Sequence, residues 1–428
     1  MADEIAVTTT ATGPASEAWV LRQPREQRRS RVKAERGGGV RRKWSQVVAL
    51  LLPVVAGLVS FQAGCRAEQQ WPLWQHYRER FLDSSGRIID HSGGDKTTSE
   101  GQAYGMFFAL VVNDRKSFDQ MLRWTEDNLA GGDLTARLPA WKWGKAEDGS
   151  WRQLDSNSAA DADLWLAYDC LEAGRLWNDD RLTKLGLVLA DRMSHSEISL
   201  IPGLGTVLIP GPTGFHPSPD KWVLNPSYMP PQVVARLRQQ LPGGPWSSVL
   251  EDLPVVLSQG APSGFAMDWV AGDAGGVHPS SSPDVLAQGK AGTPALGSYD
   301  AIRVYLWLGI ADRDTPGVSD SLQAMPGMAH YLAGNATPPA SVDNSGSVVE
   351  ANSPVGFSAA VYPYLLAMGE QKAAKSQMDR VDATLDSATG LYGHNGDYYD
   401  QNLVLFAQGW KEGRFRFDRN GRLKLKWR

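Results

Sequence analysis

The chain has 428 residues, of which 42% are hydrophobic and 21% are charged. These fractions are typical of a globular protein with a sizeable core, and they exclude a disordered or fibrous chain. The formal net charge is −4 for the whole chain and +5 for residues 1–65, so the remaining residues carry −9. Because Lys and Arg form no basic stripe in that acidic part, binding to nucleic acid is not expected.

The N-terminal segment is arranged as a basic stretch, then an apolar stretch, then small residues. Ten Lys or Arg lie within residues 22–43, and an apolar run of 15 residues follows at 47–61. That run is shorter than the roughly 20 residues that cross a bilayer. We therefore expect residues 1–67 to be a basic region with an export signal or membrane anchor, and the protein to be periplasmic or secreted. Cys65 is a candidate for lipid attachment.

Cysteine and histidine usage excludes several kinds of chemistry. The chain has only two cysteines, Cys65 and Cys170, so no disulfide framework is available. Cys170 lies in an apolar helical stretch and is expected to be buried. The seven histidines contain no His-x-x-x-His pair, and the chain has neither a Gly-x-Ser-x-Gly turn nor a phosphate-binding Gly-rich loop. We expect neither a metal site nor a cofactor.

From residue 71 onward, twelve segments have the apolar periodicity of α-helices. They are 71–83, 100–112, 116–129, 160–177, 179–194, 229–241, 246–259, 298–312, 318–334, 356–368, 370–386 and 399–413. The connections into the even-numbered segments are long and rich in Gly, Pro, Ser and Asp, whereas those leaving them are short turns. The even-numbered segments are also the more apolar, which is typical of buried helices.

This alternation predicts an all-α fold, an (α/α)6 barrel of six helical hairpins with an inner and an outer ring. We expect a single domain over residues 68–428, because no linker is long enough to divide it. Short β-hairpins are predicted at 198–210 and in the C-terminal tail, where residues alternate around Asn420-Gly421. Three prolines inside predicted helices can shorten or kink them: Pro254, Pro326 and Pro363.

This topology directs the N-termini of the inner helices, and the long loops before them, to one end of the barrel. Acidic and aromatic residues at these helix starts should therefore converge on one mouth: Glu100, Asp161, Asp163, Tyr228, Tyr299, Asp300 and Asp400. An acid at a helix start is also a common N-cap or complement to the helix dipole, and this alternative holds for Glu100, Asp161 and Asp300. Arg303 lies one turn after Asp300 on the same face and can orient it.

A mouth with several carboxylates and aromatic rings is suited to cleaving a glycosidic bond. That reaction needs one protonated carboxyl to protonate the leaving oxygen and one ionised carboxylate to activate water or attack carbon. Sugar rings also stack their apolar faces on flat aromatic side chains. Trp141 and Trp143, in a loop before Asp161, are candidate sugar platforms, with a role as buried loop anchors as the alternative.

The motifs at these helix starts together resemble glycoside hydrolase family 8, over about residues 71–418. They are 98–106 (TSEGQAYGM), 138–144 (LPAWKWG), 158–165 (SAADADLW), 225–228 (NPSY), 298–305 (SYDAIRVY) and 354–360 (PVGFSAA). Within the family, the chain resembles the periplasmic endoglucanase subunit of bacterial cellulose-synthesis operons. The resemblance implies an (α/α)6 barrel and an inverting endo-β-1,4-glucanase without a cofactor. At one position, Ala162, many members of the family have glycine.

Carried over by position, the resemblance implies that Glu100 is the proton donor and that Asp300 is the base that activates water. Asp161 is expected to hold and distort the sugar, because an inverting reaction has no covalent intermediate. Donor and base should then be about 6.5 to 9.5 Å apart. We also expect nearby acids, Asp161 among them, to raise the pKa of Glu100. The expected substrate-binding residues are Trp141, Trp143, Asp163, Tyr228, Tyr299 and Arg303.

The resemblance further implies a β-glucan substrate and a supporting role in bacterial cellulose biosynthesis, with components of a cellulose synthase complex as partners. The same family contains xylanases and chitosanases, so these activities remain an alternative. A noncatalytic polysaccharide-binding component of a secretion complex is a second alternative, against which the retention of all three acids argues. Membrane contact is expected only through the N-terminus.

Overall fold

The computed structural model of the chain describes residues 70–283 and 293–428. The predicted export signal or anchor, Cys65 and the domain boundary at residue 67 lie outside these residues and stay predictions. Within the two described ranges, no helix is both long enough and apolar enough to cross a membrane.

Two concentric sets of helices make up the fold. The outer helices are α1 (Pro72–Phe81), α3 (Arg115–Leu129), α5 (Asp180–Ser196), α7 (Trp246–Gly260), α9 (Val318–Ala324), α10 (Gly327–Gly334) and α12 (Gln371–Asp382). The inner helices, whose side chains are mostly buried, are α2 (Ser99–Val112), α4 (Ala160–Trp177), α6 (Pro231–Gln240), α8 (Ala301–Ile310), α11 (Val355–Ala367) and α13 (Tyr398–Lys411).

The inner helices close into a ring. Each of them packs on the next one along the chain. Phe107 of α2 stacks on Phe406 of α13, with ring centroids 5.3 Å apart, so the last inner helix returns to the first. The predicted all-α (α/α)6 barrel is confirmed.

The twelve predicted helices are all present, with small shifts at their ends. The segment 318–334 is divided into α9 and α10 at Pro326, because proline lacks the backbone N–H that would continue the first helix. Pro254 and Pro363 instead remain inside continuous helices. The segment 298–312 is helical only over Ala301–Ile310, because the preceding residues are held in a loop by Asp268, as described below.

Aromatic side chains fill the centre of the barrel. Trp165 of α4 lies 5.3 Å from Trp307 of α8 and 5.3 Å from Phe406, measured between ring centroids. All three rings are at most 2% exposed, and burying one such side chain contributes about 1.5–3 kcal/mol to stability. Cys170 is buried in the same core with a free thiol, as predicted. This closely packed aromatic core therefore lies beneath the helix starts at the mouth and supports them.

Short strands connect the helices. The hairpin of β4 (Ile198–Ile201) and β5 (Gly205–Leu208) and that of β12 (Phe415–Phe417) and β13 (Leu423–Leu425) confirm the two predicted hairpins. Three further sheets, each of three strands, were not expected from the sequence. The first consists of β1 (Thr97–Thr98), β2 (Lys142–Lys145) and β3 (Trp151–Asp155), and the second of β6 (Trp222–Leu224), β7 (Trp269–Asp273) and β8 (Gly276–Ser280). The third consists of β9 (Leu296–Gly297), β10 (Ser341–Asp343) and β11 (Val348–Glu350). Each contains a strand shortly before an inner helix and so shapes the mouth.

The C-terminal hairpin covers the opposite end of the barrel. The indole N–H of Trp427 donates to the carbonyls of Leu110 and Val111 at the end of α2, at 3.3 and 3.0 Å. The backbone N–H of Leu423 donates to the buried carboxylate of Glu172 at 2.9 Å. The hairpin therefore covers the end of the barrel that lies opposite the mouth.

Candidate active site

Glu100 does not cap the helix on which it lies. Thr98 is the N-cap of α2, and its hydroxyl accepts the backbone N–H of Gly101 at 3.2 Å. The Glu100 atom Oε2 is buried and has no hydrogen-bond partner among the described residues. A Cβ at Gly101 would lie 2.2 Å from the hydroxyl of Tyr398, so this glycine permits close packing rather than leaving open space.

Asp161 lies in the first turn of α4 and is 2% exposed. Its Oδ1 accepts the backbone N–H of Ala162 at 2.8 Å. Its Oδ2 lies 3.6 Å from Nη2 of Arg303 on α8. The carboxylate therefore faces the same guanidinium as the acid at the start of α8.

Asp300 occupies the N-cap position of α8, yet its side chain makes no capping hydrogen bond. That function belongs to Asp268, whose Oδ1 accepts the backbone N–H groups of Ser298, Asp300 and Ala301 at 2.8, 3.1 and 2.8 Å. Asp300 is free to accept a hydrogen bond from Arg303 at 2.8 Å, and its side chain is 30% exposed. Capping is therefore excluded as the explanation for this acid.

Arg303 organises the acidic cluster. It is buried, and its Nη2 donates to Asp300 and, at 3.0 Å, to the hydroxyl of Ser227 before α6. The same nitrogen approaches Asp161. Arg303 therefore bridges the starts of three inner helices, a more central position than the orienting role predicted for it.

Burial is the main influence on the pKa of Glu100 and on that of Asp161. Burial raises the pKa of Glu100, the Arg303 guanidinium lowers it, and Asp300 raises it. Burial raises the pKa of Asp161 well above its ordinary value, with Glu100 adding to the increase and Arg303 opposing it. The predicted increase at Glu100 is confirmed, but burial is its main cause and Asp300 is the acid that adds to it.

Four buried polar atoms around this cluster lack hydrogen-bond partners within residues 70–283 and 293–428. They are Oε2 of Glu100, Oδ2 of Asp161, Oη of Tyr104 and Nε of Arg303. Buried polar groups are normally satisfied, so a set of unsatisfied ones at a mouth points to a polar ligand. Tyr104 was not singled out from the sequence, although its position four residues after Glu100 places both on one face of α2.

The two predicted tryptophan platforms differ in their surroundings. Trp143 stacks on Trp151, with centroids 5.1 Å apart, meets the edge of Trp124, and has the Arg87 guanidinium 4.4 Å from its ring. These contacts favour the loop-anchor alternative for Trp143. Trp141 is half-buried, with the Lys142 ammonium 5.2 Å from its ring, and no aromatic partner of this ring is found in the described residues, so it stays a candidate sugar platform.

Further aromatic rings line the mouth. The Cζ atom of Arg303 lies 5.7 Å from the ring centroid of Tyr228. The ring centroids of Tyr228 and Trp269 are 6.4 Å apart, and Trp269 was not singled out from the sequence. Tyr299 is 54% exposed and packs against Phe357 at 5.1 Å. The structure therefore brings both predicted tyrosines to the same side as the acidic cluster.

Asp163 is not brought into this cluster. It is completely buried beside Glu197 and Ser158. A residue two positions along a helix is rotated by about 200°, so Asp161 and Asp163 point in different directions. A substrate contact by Asp163, expected from the sequence, disagrees with this placement.

Asp268 is the main site residue that sequence reasoning missed. It lies 32 residues before Asp300 and immediately before β7, with no helix periodicity or local motif around it. Burial, and then Asp300, raise the pKa of Asp268 to about 6. Only the pairing of distant loops brings it against the start of α8. Within the part of the chain that the structure describes, no group of three metal-binding side chains is found.

A helical barrel whose open end presents several carboxyl groups beside aromatic rings has the groups that glycoside hydrolysis needs, so the fold and the site are those of a glycosidase. The family model for glycosyl hydrolases family 8 matches residues 45–413. The chain therefore belongs to glycosyl hydrolase family 8 and is a glycoside hydrolase.

Curated relatives and solved structures agree with this assignment. An endoglucanase of Xanthomonas axonopodis pv. citri is 42% identical over 89% of this chain and 94% of its own length. An endoglucanase of Escherichia coli K12 is 41% identical over 90% and 96%, respectively. The crystal structure of an endo-1,4-D-glucanase from Vibrio fischeri ES114 matches with a TM-score of 0.75 and 37% identity, covering 84% of this chain and 99% of that one.

Proposed function

We propose that this protein is an endoglucanase that hydrolyses β-1,4-glucan with inversion of configuration. The observation that carries the proposal is the arrangement around Arg303, where the Oε2 atom of Glu100 is buried and the pKa of this acid is raised, while the side chain of Asp300 is 30% exposed and accepts a hydrogen bond from Arg303. An inverting reaction needs this asymmetry, because one carboxyl must hold a proton and the other must meet water. The endoglucanase relatives, matched over nearly their whole length, support the glucan substrate.

Glu100 is the proton donor in this proposal. Burial disfavours its ionised form, so the carboxyl carries a proton at a pH at which an exposed glutamate has lost it. Its unsatisfied Oε2 can then donate that proton to the glycosidic oxygen as the bond to the anomeric carbon breaks. The proton neutralises the leaving oxygen, which departs as a sugar hydroxyl.

Asp300 is the base. Its partly exposed carboxylate can accept a proton from a water molecule that attacks the anomeric carbon from the opposite face. Asp268 accepts a hydrogen bond from the backbone of Asp300 and Arg303 donates one to its side chain, so the carboxylate that would activate the water is held in one orientation. The separation of about 6.5 to 9.5 Å between donor and base stays a prediction.

Asp161 and its neighbours hold the sugar at the cleavage point. The free Oδ2 of Asp161 and the hydroxyl of Tyr104 can bond sugar hydroxyls, and Trp141 and Tyr299 offer ring faces for stacking. A family 8 xylanase structure is only 15% identical to this chain, so it supports the fold alone. The endoglucanase relatives, at 42% and 41% identity, favour glucan over xylan or chitosan as the substrate.

In the cell, we propose that the protein is exported and supports cellulose production, with cellulose synthase components as partners. The order of basic, apolar and small residues in the first 65 positions supports export. Fractionation of a tagged full-length chain tests this part, and recovery in the cytoplasm contradicts it.

The experiment for the activity is the release of reducing ends from carboxymethylcellulose by a Glu100→Gln variant. Loss of the acid should lower kcat by about 10²- to 10⁴-fold. The control is Glu79→Gln, since the Glu79 side chain is 73% exposed on α1 and should leave kcat unchanged. Retained activity in Glu100→Gln contradicts the proposed donor. Early products of retained anomeric configuration, seen by NMR, contradict inversion.

A further inference from the structure

A second pair of acids lies behind the proposed active site. Asp163 on α4 and Glu197 after α5 are both completely buried. The hydroxyl of Ser158 donates a hydrogen bond to Oε1 of Glu197. Both carboxylate oxygens of Asp163, and Oε2 of Glu197, receive no hydrogen bond from any N–H or O–H group in the described residues.

Two ionised carboxylates cannot remain together in such a place. No ion pair to Lys or Arg is found for either acid in residues 70–283 and 293–428, and removing an unpaired charge from water costs several kcal/mol. One proton between the two acids removes a charge and supplies the missing donor. Burial raises the pKa of Glu197 to about 7, and burial, Glu197 and Asp161 raise the pKa of Asp163 well above its ordinary value.

The pair is connected to the loop that carries Asp161. The backbone carbonyl of Glu197 accepts a hydrogen bond from the N–H of Ile209 at 2.8 Å. The following residue, Pro210, accepts a hydrogen bond on its carbonyl from the N–H of Ala160 at 3.0 Å. Ser158 is three residues before Asp161 and binds Glu197 directly. The start of α4 is therefore held through both its backbone and this one hydroxyl.

We infer that Asp163 and Glu197 share one proton and that, through Ser158, this pair positions Asp161 for the reaction. Both are positioning residues, because neither faces the mouth. Ser158 also lines a surface cavity of about 530 Å³. The positioning of Asp161 rests on the proposed function, whereas the proton shared by Asp163 and Glu197 is independent of it.

The shared proton has a defined effect on stability. An unfolded glutamate has a pKa of about 4.3, whereas burial raises the pKa of Glu197 in the folded chain to about 7. The folded state therefore binds more protons between these values. The contribution of the pair to the free energy of unfolding is full below about pH 4 and is lost as the pH rises to about 7.

Thermal unfolding as a function of pH tests the shared proton without any use of activity. In Asp163→Asn, the amide donates permanently to Glu197, so the midpoint temperature should fall less between about pH 5 and about pH 8 than in the wild type. Glu197→Gln should flatten the curve as well, and the double variant should flatten it no further. An unchanged wild-type slope in Asp163→Asn overturns the shared proton.

Kinetics on carboxymethylcellulose test the positioning. Asp163→Leu should lower kcat at least about tenfold with little change in KM, and Asp163→Asn should restore most of the loss. The control is Asp169→Leu, which removes a completely buried acid from the same helix, two turns farther from Asp161. Equal kcat losses in Asp163→Leu and Asp169→Leu overturn the positioning. A wild type without glucan hydrolysis overturns the proposed function, while the unfolding curves still decide the shared proton.

Discussion

Asp268 accepts the backbone N–H of Asp300 at 3.1 Å, so one acid caps the helix at whose start the other acid is presented to the mouth. Capping groups normally occupy the N-cap position itself. Here a residue just before a distant strand, Asp268, performs that function in place of the N-cap residue. The side chain of Asp300 is consequently available for Arg303 and for substrate.

Removing this support should reduce both activity and stability. Asp268→Ala leaves three backbone N–H groups without an acceptor, which should cost about 1–3 kcal/mol of unfolding free energy. The resulting shift of Asp300 should lower kcat by about 10²-fold. Asp268→Asn keeps an oxygen at Oδ1 and should recover most of both losses. Comparable kcat values for Asp268→Ala and wild type contradict this role.

Gly101 is predicted to be intolerant of even one methyl group. The Cβ of Gly101→Ala would lie 2.2 Å from the hydroxyl of Tyr398, so the helix start or the tyrosine must move. We expect a loss of about 1–3 kcal/mol in unfolding free energy, measured by denaturant titration. Tyr398→Phe in the same chain should recover part of the loss.

The matched control for this prediction is Gly243→Ala. A Cβ at Gly243 meets no atom within 4 Å, and its φ angle is not in the positive range. That variant should be neutral or slightly stabilising. Equal effects of the two alanine substitutions contradict the steric explanation.

Trp141 and Trp143 should separate in their effects although they are two residues apart. Trp143→Ala removes contacts to Trp151, Trp124 and Arg87, and should cost about 3 kcal/mol or more in stability. Trp141→Ala should leave the fold near wild type and raise KM for glucan several-fold, since it removes a stacking surface. Calorimetry and steady-state kinetics on both variants check the separation, and a reversed pattern contradicts it.

Arg303 should not tolerate replacement by lysine. A single ammonium cannot reproduce the hydrogen bonds to Asp300 and Ser227 while also facing Asp161. Arg303→Met should be worse, because removing one partner of a buried ion pair costs about 3–5 kcal/mol. We expect glucanase activity at least about tenfold lower in Arg303→Lys. Its unfolding free energy, measured in parallel, shows whether the loss is local.

Local patterns in the sequence were sufficient for the helices and for the position of the mouth. The apolar periodicity of 160–177 and the short turns after the inner helices depend on residues near one another in the chain. The Asn420-Gly421 hairpin is local in the same sense. None of the three loop sheets was predictable as a whole, because in each of them one strand pairs with another across more than forty residues of intervening chain.

The sequence by itself determined the barrel, the family and the location of Glu100, Asp161 and Asp300 at the starts of inner helices. Only the tertiary structure decided what each acid is free to do. Thr98 and Asp268 provide the capping that the sequence left as an alternative for Glu100 and Asp300. Protonation depends on burial and on charges from other helices, and these are set by packing rather than by neighbours along the chain.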